Sequence, residues 1–565
     1  MTPPPEPASR ARQAAVALLT LGIALRVIAC LQREGLVGDE LMLSLNLATR
    51  GYRALLQPLS YAQVAPFPFL WAERLAIQLF GIQEGVLRIV PFMTGCLLLV
   101  ALWRVTRDFL GETEGLIALG LAATSPFLID YSAEVKPYSL DALMTVLVVA
   151  SAVRVLRDVT NRIAWAALAG LGAIALISST PAAFVLLAVL VALALQLRVG
   201  SLPLLRLRWA AVGMIWADLF ILLYRAVYQQ VVDDPYMRQY WASAMLAPGP
   251  RLPARWAAGI EEALWPVSYW MVWSRLGVLL GLACVVGAVS IARRHGSSAV
   301  VLLAGPLVAL VGASAIGRYP MAMRLTIFTA PLLIMLVAVG IDAGARWISR
   351  RFPSVRAGWI DFLVLVPSIM LAVAWSIEVP GAAQGMPAIV RQLEQRHQAG
   401  EPIYVFHRAI GPWAFYTTDW LHPDRRRLAW IAQIAGPEGP AFVNAAPRGP
   451  RRMGENDGLV YRYRGRMELF GAASGVQGRA WLPPEPSERP DWQAGADRGW
   501  AETEAARLRG KGRRVWAVFV SDSPGREILD LLTAIQESGG RIESRVEAGG
   551  TTLYSIRFGP DSASA

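Results

Sequence analysis

Charge is scarce in this chain. Only 17% of its 565 residues are Asp, Glu, Lys or Arg, against roughly a quarter in soluble globular domains. A deficit of that size argues against a simple soluble enzyme. A 55% hydrophobic content and a mean hydropathy of +0.41 exclude intrinsic disorder. Lysine is nearly absent: Lys136 and Lys511 are the only two, so the 54 basic residues are almost all arginine. Cysteine is equally sparse. Cys30, Cys96 and Cys284 each sit in a long apolar run, at spacings that fit neither a disulfide framework nor a metal site. Val27-Ile28-Ala29-Cys30 has the form of a lipoprotein cleavage box, but Arg26 interrupts its apolar core and many apolar runs follow, so the first run reads as an uncleaved span. Histidine is limited to His295, His397, His407 and His422, none of them in the first three outer loops described next. There is no internal repeat and no Gly-rich phosphate loop.

What the chain has instead is long apolar runs. A spanning helix needs about 20 mostly apolar residues. Eleven stretches qualify: 13–31, 86–103, 114–130, 137–153, 163–179, 181–197, 209–229, 276–292, 299–316, 325–345 and 358–378. The stretch 64–81 is apolar and aromatic but carries Glu73 and Arg74, which predicts an interfacial helix. Arginine fixes the orientation. With the N-terminus in the cytoplasm, sixteen arginines fall in cytoplasmic segments: 10, 12, 104, 107, 154, 157, 162, 198, 206, 208, 293, 294, 346, 350, 351 and 356. The short outer loops hold Lys136 and Arg318, with Arg324 opening the next span. Much of the net charge of +12 is therefore a topology signal, and a nucleic-acid partner is not expected.

The predicted fold class is a multi-pass α-helical membrane protein of about eleven spans followed by a C-terminal external α/β domain. Residues 1–380 form the membrane domain, with external loops 32–85 and 230–275, the second rich in Trp (Trp241, Trp256, Trp265, Trp270, Trp273). In 385–565 apolar runs shorten to strand length, at 403–406, 515–520, 541–547 and 551–558, with a helical pattern over 525–538.

Three outer loops carry candidate chemistry. The first holds Asp39-Glu40 at the head of an amphipathic run, a general base with a second acid beside it, or else two solvated surface carboxylates. The second is short and polar, Asp130-Tyr131-Ser132-Ala133-Glu134-Val135-Lys136-Pro137-Tyr138. Lys136 is the one lysine of the membrane half, and a point cation there suits a lipid-linked phosphate; it also suits simple pairing with Glu134. The third, Gly317 to Arg324, offers Arg318, Tyr319 and Arg324 as phosphate ligands or headgroup anchors.

In their order and sidedness these pieces resemble the glycosyltransferase-C superfamily, specifically the bacterial proteins grouped with protein O-mannosyltransferases and the lipid A aminoarabinose transferase (glycosyltransferase family 39-like). The residues that carry the likeness are Asp39-Glu40, Pro66 and Pro68 ahead of a helix ending Leu79-Phe80-Gly81, Leu87-Arg88, Ser125-Pro126-Phe127 leading to Tyr131-Ser132 with Glu134 and Tyr138, and Tyr319-Pro320 with Arg324. The likeness covers about the first 145 residues well and 317–340 loosely. It implies transfer of a sugar from a polyprenyl-phosphate donor to a glycan, lipid or protein acceptor outside the bacterial inner membrane. It further implies Asp39 and Glu40 as catalytic residues, and Asp130, Glu134, Lys136, Tyr138, Arg318, Tyr319 and Arg324 as substrate-binding ones. Related sequences often place a His before the Pro pair where this chain has Ala65, which argues against a metal site there. No motif demands a cofactor, and a divalent metal stays an open alternative. Two other classes compete: a lipid or glycan transporter, for which Arg26, Asp141 and Asp218 are the relevant intramembrane charges, and a non-catalytic partner in envelope assembly.

Overall fold

The computed structural model describes residues 7–197, 202–233, 235–246, 274–354, 385–406, 409–434, 460–463, 466–470, 498–520 and 526–559, with scattered positions in 366–374. The expected span 358–378, most of the loop 230–275 with Trp256, Trp265, Trp270 and Trp273, and His407 lie outside the described residues.

The first eleven helices are α1 (Pro7–Gln32), α2 (Gly38–Thr49), α3 (Phe67–Phe80), α4 (Glu84–Leu87), α5 (Ile89–Phe109), α6 (Glu112–Ala123), α7 (Pro126–Asp130), α8 (Tyr138–Arg157), α9 (Arg162–Ser178), α10 (Ala182–Gln196) and α11 (Pro203–Leu223). Helices Ser274–His295, Ser297–Ala315 and Ala330–Arg351 follow, the last preceded by a 3-10 segment, Met323–Thr329. Among the described residues six helices are long and apolar enough to cross a membrane: Arg10–Gln32, Glu84–Phe109, Tyr138–Arg157, Pro203–Tyr228, Ser297–Ala315 and Met323–Arg351. Two shorter apolar helices, Arg162–Ser178 and Ala182–Gln196, stand beside them. The protein is thus a helical membrane protein with several spans.

The chain divides into two compact units. One comprises Met1–Gln32, Val64–Ala76 and Leu87–Pro380; the other comprises Arg33–Gln63, Ile77–Val86 and Gly381–Ala565.

In the first unit helices pack where small residues let backbones approach. Helix Ser274–His295 crosses Ala330–Arg351, and a Cβ on Gly287 would collide with the Leu336 carbonyl oxygen, one on Gly340 with that of Ala283. Small residues at such crossings are what helix association in lipid requires. The stretch 114–130, expected as one span, is two helices. Pro126 has no N–H to give to the Ala122 carbonyl four residues back, so α6 ends and α7 begins with Ser125 Oγ accepting from Leu128 N–H (3.2 Å). The orphaned carbonyls are met by Arg26. Its guanidinium, fully buried, donates to Ala122 O (3.2 Å), Ala123 O (3.3 Å) and Gly22 O (3.0 Å). An arginine inside a span here completes a helix C-terminus.

In the second unit a six-stranded mixed sheet runs β2-β3-β1-β4-β6-β5. The strands are β1 (Pro402–Val405), β2 (Val460–Tyr463), β3 (Arg466–Phe470), β4 (Arg514–Val520), β5 (Gly540–Ala548) and β6 (Thr551–Phe558). β1 is parallel to both β3 and β4; the remaining pairs are antiparallel. Tyr404, Phe406, Val515, Ala517, Phe519, Tyr554 and Ile556 form its core with Leu531 and Ile535 of helix Arg526–Glu537. The same unit holds α2, which packs against helices Ile410–Thr417 and Arg425–Ile434. Leu41, Leu43, Leu45 and Leu47 are all buried along α2.

Candidate active site

The sequence candidates fall into two groups, one per unit. Asp39 and Glu40 occupy the first turn of α2, where the positive end of a helix favours carboxylates. Gly38 opens the helix at φ +29°, a backbone conformation that glycine adopts without strain. The two acids are held differently. Glu40 is buried: its Oε2 meets Arg33 Nη2 at 3.3 Å and accepts from Val37 N–H at 3.2 Å. Asp39 is half-exposed. Behind them Ser44 Oγ donates to Glu40 O (2.7 Å), and Asn46 exchanges bonds with Ser60, accepting from its N–H at 2.9 Å and donating to its carbonyl at 3.3 Å.

In the other unit the polar turn 130–138 joins α7 to α8. It is tightly wound: Ala133 N–H donates to Asp130 O (2.9 Å), Lys136 N–H to Glu134 O (2.7 Å), and Ser139 Oγ to Tyr131 O (3.0 Å). Tyr131 sits edge-on between Phe127 (4.9 Å) and Tyr138 (5.2 Å). A Cβ on Gly95 would strike Ser132, so α5 can approach this turn only as glycine. Lys136 is 5% exposed and Tyr138 9%, so the lysine is a buried cation. Asp130 and Glu134 are half-buried.

The third-loop residues have separate settings. Tyr319 lies edge-on to Phe184 at 5.1 Å, and its phenol is pushed up by burial, then by Asp141 and Tyr228. The Arg324 guanidinium lies over the Trp241 ring at 5.6 Å. Met321 N–H donates to Ala244 O (2.8 Å) and Leu246 N–H to Ser314 Oγ (3.0 Å), so the described end of the second long loop is docked on the third. Arg318 is exposed.

The structure adds Asp141, which the loop motifs did not select. It lies in the first turn of α8, buried, near Ser179, Tyr228 and Tyr319. Among the described residues neither its Oδ1 nor Ser179 Oγ has a hydrogen-bond partner. Tyr228 closes a π-helical turn, Tyr224–Tyr228, a geometry found often at functional sites. The available signal was the spacing Tyr138 to Asp141, which puts both residues at one end of a helix. Among the described residues no group of three or more His, Cys, Asp or Glu is placed to hold a metal ion.

A family model described as dolichyl-phosphate-mannose-protein mannosyltransferase matches residues 64–224, which include the 130–138 turn and Asp141. No curated protein sequence matches the chain. Among solved structures, ArnT from Cupriavidus metallidurans in the apo state is similar at 12% identity and TM-score 0.51, over 96% of this chain and 97% of that one. The same protein bound to undecaprenyl phosphate gives 12% and 0.48 over the same shares. The oligosaccharyltransferase AglB from Archaeoglobus fulgidus, in complex with an inhibitory peptide and a dolichol-phosphate, gives 12% and 0.48 over 96% and 74%. The family match and the fold shared with apo ArnT bear out the resemblance read from the loops: the chain has a glycosyltransferase-C fold, with a protein O-mannosyltransferase-type segment over residues 64–224.

Proposed function

We propose that this chain transfers a sugar from a polyprenyl-phosphate donor to an acceptor hydroxyl on the outer side of the bacterial inner membrane. The observation that carries this reading is Lys136, a buried cation in a wound polar turn inside the segment that matches the mannosyltransferase family. The chemistry asked of the residues is modest. The acceptor oxygen attacks the anomeric carbon, and the bond from that carbon to the phosphate oxygen breaks. The hydroxyl proton passes to Asp39, and the bonding pair leaves with the polyprenyl phosphate. A phosphate leaving group needs no strong general acid; it needs cations to offset its growing charge, and Lys136 and Arg324 fill that role, with Arg318 weaker because it is exposed. Asp141, Tyr319 and Tyr228 supply hydroxyl-binding groups. One base and a single displacement give inversion, as in inverting glycosidases.

The test is transfer by the purified chain in liposomes supplied with polyprenyl-phosphate sugars, read by mass spectrometry of the acceptors. Lys136→Ala and Arg324→Ala should each slow turnover or raise the donor requirement by about tenfold or more, the worth of one charge-assisted contact. Normal kinetics in both would leave them as headgroup anchors.

A further inference from the structure

Three successive amides in the turn that leads into Asp39 are occupied by side chains from three places. Gly35 N–H donates to the Glu84 carboxylate at 2.8 Å. Leu36 N–H donates to the Tyr416 phenol oxygen at 2.7 Å, across 380 positions of sequence. Val37 N–H donates to Glu40 Oε2 at 3.2 Å. All of these groups belong to one compact unit. Tyr416 is itself firmly placed. Its helix, Ile410–Thr417, buries Trp413 completely. Arg427 ties the next residues: its Nη2 donates to Thr417 Oγ1, its Nε to Thr418 Oγ1 (3.1 Å), and its Nη1 pairs with Glu468 of β3 at 2.8 Å, with both partners of that pair fully buried. Polar contacts therefore tie the sheet to Thr417 through Glu468 and Arg427, and the adjacent residue, Tyr416, bonds the backbone three residues before Asp39.

We infer that Tyr416 is a positioning residue for the Asp39 carboxylate, and that the C-terminal domain acts on the reaction by fixing the turn that presents the base. The inference rests on the transferase reading for its kinetic consequence, though not for the clamp itself. A flexible carboxylate loses rate without losing substrate affinity, because misplacement of about 1 Å can cost up to 10²-fold in the chemical step.

The experiment uses the full chain in nanodiscs with Tyr416→Phe, which removes the acceptor oxygen and keeps the ring, and Tyr52→Phe as a control in the same unit. Hydrogen exchange at the Leu36 amide should accelerate at least tenfold in Tyr416→Phe alone. Turnover should fall about tenfold with the donor KM within twofold of the parent. In an Asp39→Asn background Tyr416→Phe should cost nothing further, since the two act as one unit. Unchanged exchange at Leu36 overturns the clamp whether or not the chain transfers sugar. Faster exchange with unchanged turnover, or a fully additive loss with Asp39→Asn, overturns the positioning role. A parent chain that transfers from no polyprenyl-phosphate donor defeats the transferase reading and with it the claim about the reaction, while exchange still decides the clamp.

Discussion

At the scale of single residues the two adjacent acids part company. Glu40 caps its own helix and pairs Arg33 in a buried setting. Asp39, half-exposed, keeps its carboxylate at a helix start. Asp39→Asn should therefore insert and bind donor normally while transfer falls by about 10²–10⁴, the usual worth of a positioned base. Glu40→Gln should show mainly in stability, lowering it by up to about 3 kcal/mol because a buried ion pair loses one partner. Thermal unfolding in detergent and transfer rates on the same samples separate the two; a dead Glu40→Gln beside an active Asp39→Asn would exchange their roles. Glu73 is a different kind of carboxyl. Buried on the same face of α3 as Phe69, Leu70, Ala76 and Ile77, it has neither oxygen hydrogen-bonded among the described residues. Burial pushes its carboxyl well above the ordinary value of 4.5. An acid whose folded pKa is raised costs stability as pH climbs past the unfolded pKa, where only the unfolded chain ionises. Glu73→Gln should thus unfold at higher temperature than the parent at pH 8, with the gap closing toward pH 4. A variant less stable at pH 8 would mean that Glu73 is held by something it needs. The sequence made Glu73 visible as a charge in an apolar stretch and said nothing of its direction: composition shows that a charge exists, and only packing shows which way it faces.

At the scale of elements, charge in a span is equally open to misreading. Arg26 stood as a transporter-like intramembrane charge, and the structure gives it a helix end to complete. The cause is Pro126, a hundred residues away. Arg26→Met should destabilise the protein by about 1–3 kcal/mol, the cost of leaving buried carbonyls unmet. Pro126→Ala restores an N–H for Ala122 O, so the double variant should recover part of that loss. An Arg26→Met chain with unchanged unfolding would return Arg26 to the list of residues with a role in transport. Element positions were otherwise legible where one periodicity dominated. The short unbroken apolar run of β4 and the apolar stripe of helix Arg526–Glu537 stand within a residue or two of expectation. The break at Ser125-Pro126 was not, because hydropathy counts apolar side chains and ignores a missing amide.

At the scale of the whole molecule, sequence order and spatial grouping diverge. The first outer loop precedes the tail by more than 300 residues, yet Arg33–Gln63 and Gly381–Ala565 share one compact unit. The arginine bias predicts both on the same side of the membrane; it could not show that α2 packs on the tail's helices. Two consequences follow for experiment. Reporter fusions after Met386 should read as external, since sixteen arginines mark the opposite face, and a cytoplasmic reading would put the proposed base on the wrong side and sink the transferase mechanism. Deletion from residue 385 should leave the spanning helices inserted, because the first unit contains its own packed core. It should also strip α2, along which Leu41, Leu43 and Leu45 are buried, of the two helices that pack against it. An α2 left without that cover exposes apolar surface at about 25 cal/mol per Å², and residues 33–63 should become the first site of limited proteolysis as transfer is lost. If the truncated protein keeps those residues protected and still transfers sugar, α2 folds without the tail and the C-terminal domain is a separate module.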